Sequence, residues 1–373
     1  MIRWYFFAFL ATEGRLSTPV NVTLRGAADG VARVAETMQW LAAATTGEPP
    51  PARWAVRGPT PALSLDPDSG GPWFGMFKIA YPGRLRLAQG EAVDVVVKRG
   101  RRRLDSAAAE CVQYSVALEI LYLELMAGET GVPHFYGGWQ DQDSSLSYVV
   151  QRPGVVFGTC ANATCPMSDV YLDAAKRRPL QLLRGVVAAY AAFAEGGGFF
   201  LHDPAPTQFV IDPATLAIYL IDAPRSFHSG LAELFAAAWP GYRRCDAYRV
   251  SDIFTMDSVQ AVSRGLTCHK SRECPRKRKK FCVNSERKTD ARCPPEAHGR
   301  CAAGRCMPLT DKSQVYDVAA QPWLFLLVLS LVVDDDIRRE LAALASRMTQ
   351  LDPEDRPTFS DVLHTIDAIA ARW

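Results

Sequence analysis

The sequence predicts an α+β fold in which a small antiparallel β-sheet with one helix precedes a mainly helical half. Short β-branched and aromatic stretches separated by glycine turns concentrate between residues 65 and 153, whereas apolar residues after Gly230 mostly follow helical spacing. The chain has 373 residues, of which 48% are hydrophobic and 22% charged, as is typical of a globular protein with a sizeable core. We therefore predict an N-terminal targeting or extension segment (1–64), a sheet-containing lobe (65–153) and a helical lobe (154–373).

The N-terminal segment begins with an apolar run, Trp4–Ala11, after a single arginine. This run resembles a minimal signal peptide, and the alternative is an ordinary first strand. Both it and the second long apolar stretch, Trp323–Val333, are too short to span a bilayer, so no clear transmembrane span is predicted. The formal net charge of +2 gives no indication of nucleic-acid binding, and no nucleic-acid partner is predicted. The oligomeric state stays open.

Ten cysteines occur, and six of them lie in an insertion at about residues 266–308 (Cys268, Cys274, Cys282, Cys293, Cys301 and Cys306). Because no C-x-x-C pair is present, three disulfides are favoured over zinc, with fifteen pairings open. Cys160 and Cys165 flank the sequon at Asn162, where a local disulfide is plausible, and a second sequon begins at Asn21. Clustered cysteines with sequons predict a glycoprotein of the secretory pathway (endoplasmic reticulum or Golgi lumen) or the extracellular space.

Within the sheet-containing lobe, Gly70, Gly71 and Gly75 lie in a strand–turn–strand pattern. Glycines there let backbone N–H groups approach phosphate oxygens, although a plain hairpin is the alternative. The next strand, Ala92–Lys98, ends in a lysine that either grips phosphates or is solvated.

A helix is predicted from Ser106 to Met126, with an apolar stripe at Val112, Val116, Ile120 and Leu123. Glu119 and Glu124 lie on or beside this stripe. Glu119 is preferred as the partner of the lysine because of its spacing to the apolar positions, and Glu124 is the alternative. An antiparallel hairpin follows and ends at Leu146–Gln151.

The stretch Phe199–Phe227 follows a helix predicted over 179–195 and contains most of the candidate chemistry. Asp203 and Gln208 are five residues apart, and Asp222 follows a short apolar strand. Two carboxylates and an amide beside buried strands are typical of a site that holds a metal-bound phosphate.

These residues, in this order, resemble those of the protein kinase fold. Asp203 and Gln208 match the spacing of the kinase pattern H-R-D-x-x-x-x-N, and Asp222-Ala223-Pro224 lies where D-F-G is expected. Val315–Val318 resembles the start of the buried kinase helix D-V-W, and Asp352–Pro357 resembles the motif D-P-x-x-R-P. With its cysteine-rich insertion, the chain is similar to the secretory-pathway family of divergent protein kinase domain proteins and to the related vertebrate lonesome kinase.

The resemblance implies a bilobal protein kinase-like fold and an ATP-dependent protein kinase, with Mg²⁺ or Mn²⁺ as cofactor. Asp203 would be the catalytic base, and Lys98 held by Glu119 would fix the α- and β-phosphates. Asp222 and Gln208 would bind the metal. ATP would also contact Gly70, Gly71, Gly75 and Gln151. The implied partner is a secretory or extracellular protein whose hydroxyl groups accept the γ-phosphate.

Three departures from the kinase pattern motivate the alternative of a weak or inactive pseudokinase that acts as a binding or scaffold module. Gln208 replaces the metal-binding asparagine, Pro72 replaces the middle glycine, and the residue before Asp203 is histidine. A glycan kinase is a further, weaker alternative.

Overall fold

The structure is a computed structural model of mixed α+β class, as the sequence predicts, with antiparallel sheets, helices and a disulfide. The residues that it describes are 4–6, 20–22, 28–43, 49–66, 71–74, 78–101, 106–143, 145–159, 165–196, 199–201, 205–222, 226–227, 267–269, 301–306, 311–350 and 353–373.

The strands, in chain order, are β1 (Trp4–Phe6), β2 (Val20–Val22), β3 (Leu63–Leu65), β4 (Trp73–Phe74), β5 (Lys78–Arg86), β6 (Ala92–Gly100), β7 (Phe135–Gln140), β8 (Leu146–Gln151), β9 (Val155–Val156), β10 (Phe200–Leu201), β11 (Phe209–Ile211), β12 (Ile218–Leu220), β13 (Ser226–Phe227), β14 (Cys301–Ala302) and β15 (Arg305–Cys306). The α-helices are α1 (Ala28–Ala43), α2 (Ser106–Leu125), α3 (Asp169–Arg177), α4 (Pro179–Ala191), α5 (Asp311–Ala320), α6 (Leu327–Leu331), α7 (Asp335–Met348) and α8 (Phe359–Ala370). Two π-helices (Ala192–Gly196 and Pro322–Leu326) and two 3₁₀ turns (Pro206–Gln208 and Pro353–Asp355) complete the helical elements described.

The chain divides into two compact units. The first comprises Met1–Val156 and Gly196–Cys245, and the second comprises Phe157–Glu195 and Asp246–Trp373. The boundaries predicted at residues 64 and 153 stay predictions, because compactness alone does not define an independently folding domain.

The first unit is built on an antiparallel sheet with the strand order β3-β5-β6-β8-β7, and β4 also pairs with β5. One face of the sheet carries a small apolar core made of Val56, Leu85, Val95, Val97, Trp139 and Val149. The opposite face lies against α2, since a side chain at Gly100 would meet Val112 and Val116. Lys98 lies on this α2-facing side, because strand residues alternate between the two faces and Lys98 follows Val97.

Helix α2 is buried from Val112 to Met126 except for partial exposure at Gln113 and Leu118. A helix that is apolar nearly all round must be covered on more than one side. The second cover is α1, in which a side chain at Gly30 would come within 2.6 Å of the Leu125 carbonyl oxygen. The residues before the sheet therefore contribute a helix to the core of the first unit.

The stretch from Phe199 to Phe227 contributes short strands to the same unit. Strand β10 pairs with β13, and β11 pairs with both β12 and β9, all antiparallel. Phe199 makes an edge-to-face contact with Tyr122 of α2 at 5.1 Å between ring centroids. This contact fixes the start of the stretch against the helix that carries Glu119.

In the second unit, α8 packs on α4, and Tyr190 stacks on Phe359 at 6.1 Å. Arg356 from the D-P-x-x-R-P segment is only 2% exposed. Its guanidinium donates to the carbonyls of Gln350 (2.7 Å) and Lys312 (3.1 Å) and lies over the Tyr316 ring. A buried arginine with carbonyl partners anchors the start of α8 to α5.

Part of the cysteine framework lies in the described residues. Cys268 and Cys301 form a disulfide with a Cα–Cα distance of 5.9 Å, which confirms a disulfide in the insertion. Cys165 is also disulfide-bonded. Cys274, Cys282, Cys293 and the predicted partner of Cys165, Cys160, lie outside the described residues.

Among the described residues, no single helix is long and apolar enough to cross a membrane. Two consecutive helical segments, Gln314–Ala320 and Pro322–Leu331, are together long and apolar enough to cross a membrane, but they are bent by 41° relative to each other. At the other end of the chain, Trp4–Phe6 forms a strand paired with Val20–Val22.

Candidate functional site

The candidate site lies in the first unit, where β5, β6, α2 and the segment after β12 meet. The sequence assigns roles here to Lys98, Glu119, Gln208 and Asp222, all of which the structure describes. Asp203, Gly70 and Gly75 lie outside the described residues, and their predicted roles stay predictions.

Lys98 and Glu119 form a buried ion pair. The Lys98 Nζ donates to Glu119 Oε1 at 2.6 Å, and the two residues are 7% and 2% exposed. The same ammonium donates to the Ile221 carbonyl and lies 5.8 Å from the centroid of the Tyr148 ring. The ion pair joins the central strand of the sheet to the helix behind it and connects both to the residue before Asp222.

A second lysine, Lys78, completes a cluster that the sequence reasoning missed. Its Nζ donates to Glu119 Oε2 and to Asp222 Oδ1, the latter at 2.8 Å. Lysine and carboxylate therefore alternate in the order Lys98, Glu119, Lys78, Asp222, which we call the lysine–carboxylate cluster. Three of its members are nearly buried, whereas the Asp222 side chain keeps 43% exposure. Lys98 is buried at one end of the cluster, and Asp222 is exposed to solvent at the other.

The register of β5 on β6 explains why Lys78 reaches this place. Ala80 pairs with Lys98 across β5 and β6, and Lys78 lies two residues before Ala80. Residues two apart on a strand share a face, so Lys78 and Lys98 both point to the α2 side of the sheet. The turn near Gly90 is a sequence feature that bears on this register but does not fix the pairing by itself.

Asp222 is held beside Gln208 by backbone pairing. The Ile221 N–H donates to the Gln208 carbonyl at 2.8 Å, and the Leu220 N–H donates to the Gly131 carbonyl at 2.8 Å. The Gln208 side chain is 6% exposed, and its Oε1 accepts from the Ala205 N–H at 3.1 Å. That amide oxygen is therefore engaged in shaping the turn before β11.

Burial dominates the electrostatics of Lys98. Burial and, to a smaller extent, the charge of Lys78 lower the pKa of the ammonium, Asp222 acts in the opposite direction, and the pKa falls from 10.5 to about 7. Burial, with the charge of Asp222, also raises the pKa of the Tyr148 phenol well above its ordinary value. The Lys98 ammonium therefore loses its proton at lower pH than an exposed lysine does.

We expect Lys98 to react with a small amine-specific electrophile such as cyanate along a titration curve centred near pH 7. Mass spectrometry of peptides after brief labelling between pH 5 and pH 10 would follow it, with Lys176, an exposed residue of α3, as internal reference. The titratable groups that contact Lys98 or alter its pKa are Glu119, Lys78, Asp222 and Tyr148. A labelling midpoint at the ordinary lysine value of about 10 would contradict the expectation.

Gly71 and Gln151 have structural contacts of their own. A side chain at Gly71 would meet Pro82 of β5 at 2.4 Å, so glycine is required there by close packing. The Gln151 side-chain oxygen accepts a hydrogen bond from the His134 backbone N–H at 3.4 Å. The Gln151 backbone N–H donates to the His134 carbonyl at 2.8 Å. The nucleotide contacts predicted for both residues stay predictions.

Glu124, the alternative partner for Lys98, binds elsewhere. Its Oε1 accepts from Arg53 at 2.8 Å and also from the Trp54 indole N–H, and its carbonyl accepts from Arg33 of α1 at 3.0 Å. On an α-helix, positions five residues apart point about 140° away from each other. The two buried glutamates of α2 therefore serve opposite sides of the helix, and Glu119 alone faces the lysines.

Comparison with known proteins does not assign a family to this chain. Neither a scan against protein-family models nor a search of curated proteins finds a match for the chain.

Proposed function

We propose that this chain is a divergent ATP-dependent kinase that transfers the γ-phosphate of ATP to hydroxyl groups of secretory-pathway or extracellular proteins. The observation that carries the proposal is the buried ion pair between Lys98 of β6 and Glu119 of α2, next to Asp222. In protein kinases, a strand lysine held by a helix glutamate positions the α- and β-phosphates.

The order of elements around the ion pair supports the proposal. Along the chain, an antiparallel sheet with a helix behind its central strand is followed by the strand pair β11–β12 and then by Asp222, which is the order of the kinase pattern. Asp317 lies in helix α5, Arg356 is buried, and both follow Asp222 in the order of the motifs that they resemble. The bilobal kinase arrangement remains part of the proposal.

In the proposed reaction, Lys98 holds the phosphates while the γ-phosphorus is attacked by a substrate hydroxyl oxygen. A bond forms between that oxygen and the phosphorus, the bond to the bridging oxygen of ADP breaks, and the hydroxyl proton passes to Asp203. Gln151 and its neighbours would receive the adenine. The glycines at 70, 71 and 75 would lie over the phosphates.

The disulfide Cys268–Cys301 suits an oxidising compartment.

The predicted metal ligands contact protein groups in the arrangement described. Asp222 Oδ1 is paired with Lys78, and Gln208 Oε1 is bound to a backbone N–H. No group of three or more histidine, cysteine or acidic residues in the described part of the chain is placed to hold a metal. The role of Asp222 and Gln208 toward Mg²⁺ or Mn²⁺ therefore stays a prediction, and no step of the reaction is assigned to a metal.

The second candidate is a nucleotide-binding module without transfer activity. It is favoured by the hydrogen bond that the Gln208 side-chain oxygen accepts from the Ala205 N–H, since Gln208 replaces the kinase asparagine. Both candidates require nucleotide binding at Lys98, and they differ in whether phosphate moves.

The test combines ATP binding by calorimetry with transfer from ATP labelled at the γ-phosphate, using mixed peptide and glycan acceptors. We expect Lys98→Met to weaken ATP binding by about tenfold to a hundredfold, because a charged hydrogen-bond donor is lost. Asp203→Asn should retain binding but lower transfer by about a hundredfold or more. Binding without transfer in the unmodified protein would select the second candidate, and absence of ATP binding would overturn both.

A further inference from the structure

Lys78 lies where a kinase-like site would need positive charge beside Asp222. It is the first residue of β5 and is 8% exposed. Its ammonium contacts two carboxylates, Glu119 and Asp222, from different parts of the chain. None of the roles inferred from the sequence uses this residue.

Lys78 adds a second ammonium to a buried region that already contains one. Glu119 already has Lys98 as its ion-pair partner, and placing a second ammonium in the same buried region adds both desolvation and like-charge repulsion. The arrangement persists because Asp222 supplies a second negative charge at 2.8 Å from Lys78. With both lysines charged, the four groups sum to zero, and the cluster is neutral without a metal ion.

The cluster meets solvent at Asp222, the carboxylate that contacts Lys78. The Asp222 side chain keeps 43% exposure, whereas the Lys78 side chain beside it keeps 9%. A phosphate oxygen that arrives there meets an ammonium whose position is fixed by two carboxylates. Fixed donors bind phosphate without the cost of ordering a free lysine side chain.

We propose that Lys78 supplies the positive charge beside Asp222 that a divalent cation supplies in ordinary kinases, so that a nucleoside triphosphate binds this chain without a metal. The inference rests on the proposed nucleotide-binding function and concerns binding alone. Lys98 and Lys78 together bind the phosphates, and Asp222 holds Lys78 in place.

The experiment measures ATP affinity by calorimetry in excess EDTA and in excess Mg²⁺, with the full chain. The unmodified protein should bind ATP in EDTA within about threefold of its affinity in Mg²⁺. Lys78→Met should weaken binding in EDTA by about thirtyfold, because it removes a charged donor. Mg²⁺ should then restore part of the affinity, since Asp222 is released. Lys176→Met, which removes an exposed lysine from α3, is the matched control and should bind like the unmodified protein.

Lys78→Arg distinguishes loss of the positive charge from misfolding as the reason for weaker binding, because arginine keeps a positive charge that can pair with both carboxylates. It should retain metal-free binding within about tenfold of the unmodified protein. Saturable ATP binding in Mg²⁺ but not in EDTA would overturn this inference and leave the proposed function intact. Equal binding of ATP in EDTA by Lys78→Met and the unmodified protein would also overturn it. Failure to bind ATP in either medium would overturn both proposals.

Discussion

Replacing Glu119 with alanine is expected to lower the free energy of unfolding by about 3–5 kcal/mol, the cost of breaking a buried ion pair from one side. The substitution leaves two ammonium groups, on Lys78 and Lys98, without the carboxylate that both now share. Urea unfolding followed by tryptophan fluorescence would measure the loss. The effect is large because water reaches neither lysine readily, each being less than a tenth exposed.

Two further variants show whether that loss comes from the lysines. Glu129→Ala removes an exposed glutamate just after α2 and should change stability by no more than about 0.5 kcal/mol. Combining Glu119→Ala with Lys78→Met should recover part of the stability, because one buried charge is removed. If the double variant were as unstable as the sum of its parts, charge burial would not be the cause.

The ion pair of Lys98 and Glu119 could be predicted from the sequence because each residue lies in a recognisable local pattern. Lys98 closes a run of β-branched residues, and Glu119 lies beside the apolar stripe of a strongly periodic helix. Their contact needs only that the helix pack on the strand before it. The antiparallel hairpin ending at Leu146–Gln151 was accessible for the same reason, since it depends on neighbouring segments of the chain.

Lys78 was missed because its role depends on strand register, which sequence patterns specify weakly. A lysine at the start of a strand is most often solvated, and nothing in its own segment distinguishes it. Only the pairing of Ala80 with Lys98 places it on the α2-facing side of the sheet. Asp222 could be identified as a candidate, but its lysine partner lies 144 residues away along the chain.

The cover over the second side of α2 was also missed, although the sequence carries a signal for it. Leu121, Tyr122 and Leu125 are buried off the predicted stripe, so the helix is apolar on more sides than one sheet can cover. The predicted extension at residues 1–64 contains the helix that supplies this cover. The polar contact that joins the two helices, at Glu124, could not be assigned because it depends on the path of residues 49–56.

Replacing Glu124 with alanine is expected to destabilise the protein by about 3 kcal/mol and to detach α1 selectively. The carboxylate is 3% exposed and accepts hydrogen bonds from Arg53 and from the buried Trp54 indole, while Arg33 bonds the adjacent carbonyl. Removing it leaves the indole N–H buried without this acceptor, which costs about 1–3 kcal/mol in addition to the lost ion pairs.

Hydrogen exchange locates the effect, since α1 can open while the sheet stays folded. In Glu124→Ala, amides of residues 28–43 should exchange at least about tenfold faster, whereas those of β6 and β8 should keep their protection. Glu124→Gln retains an oxygen for the Trp54 indole and should lose only about 1 kcal/mol, because it weakens the arginine contacts alone. Unchanged exchange in α1 would mean that apolar packing, including the close approach at Gly30, holds the helix without the carboxylate. If α1 does detach, its loss should also weaken the Lys98–Glu119 pair, because α2 then loses the cover that presses it against the sheet.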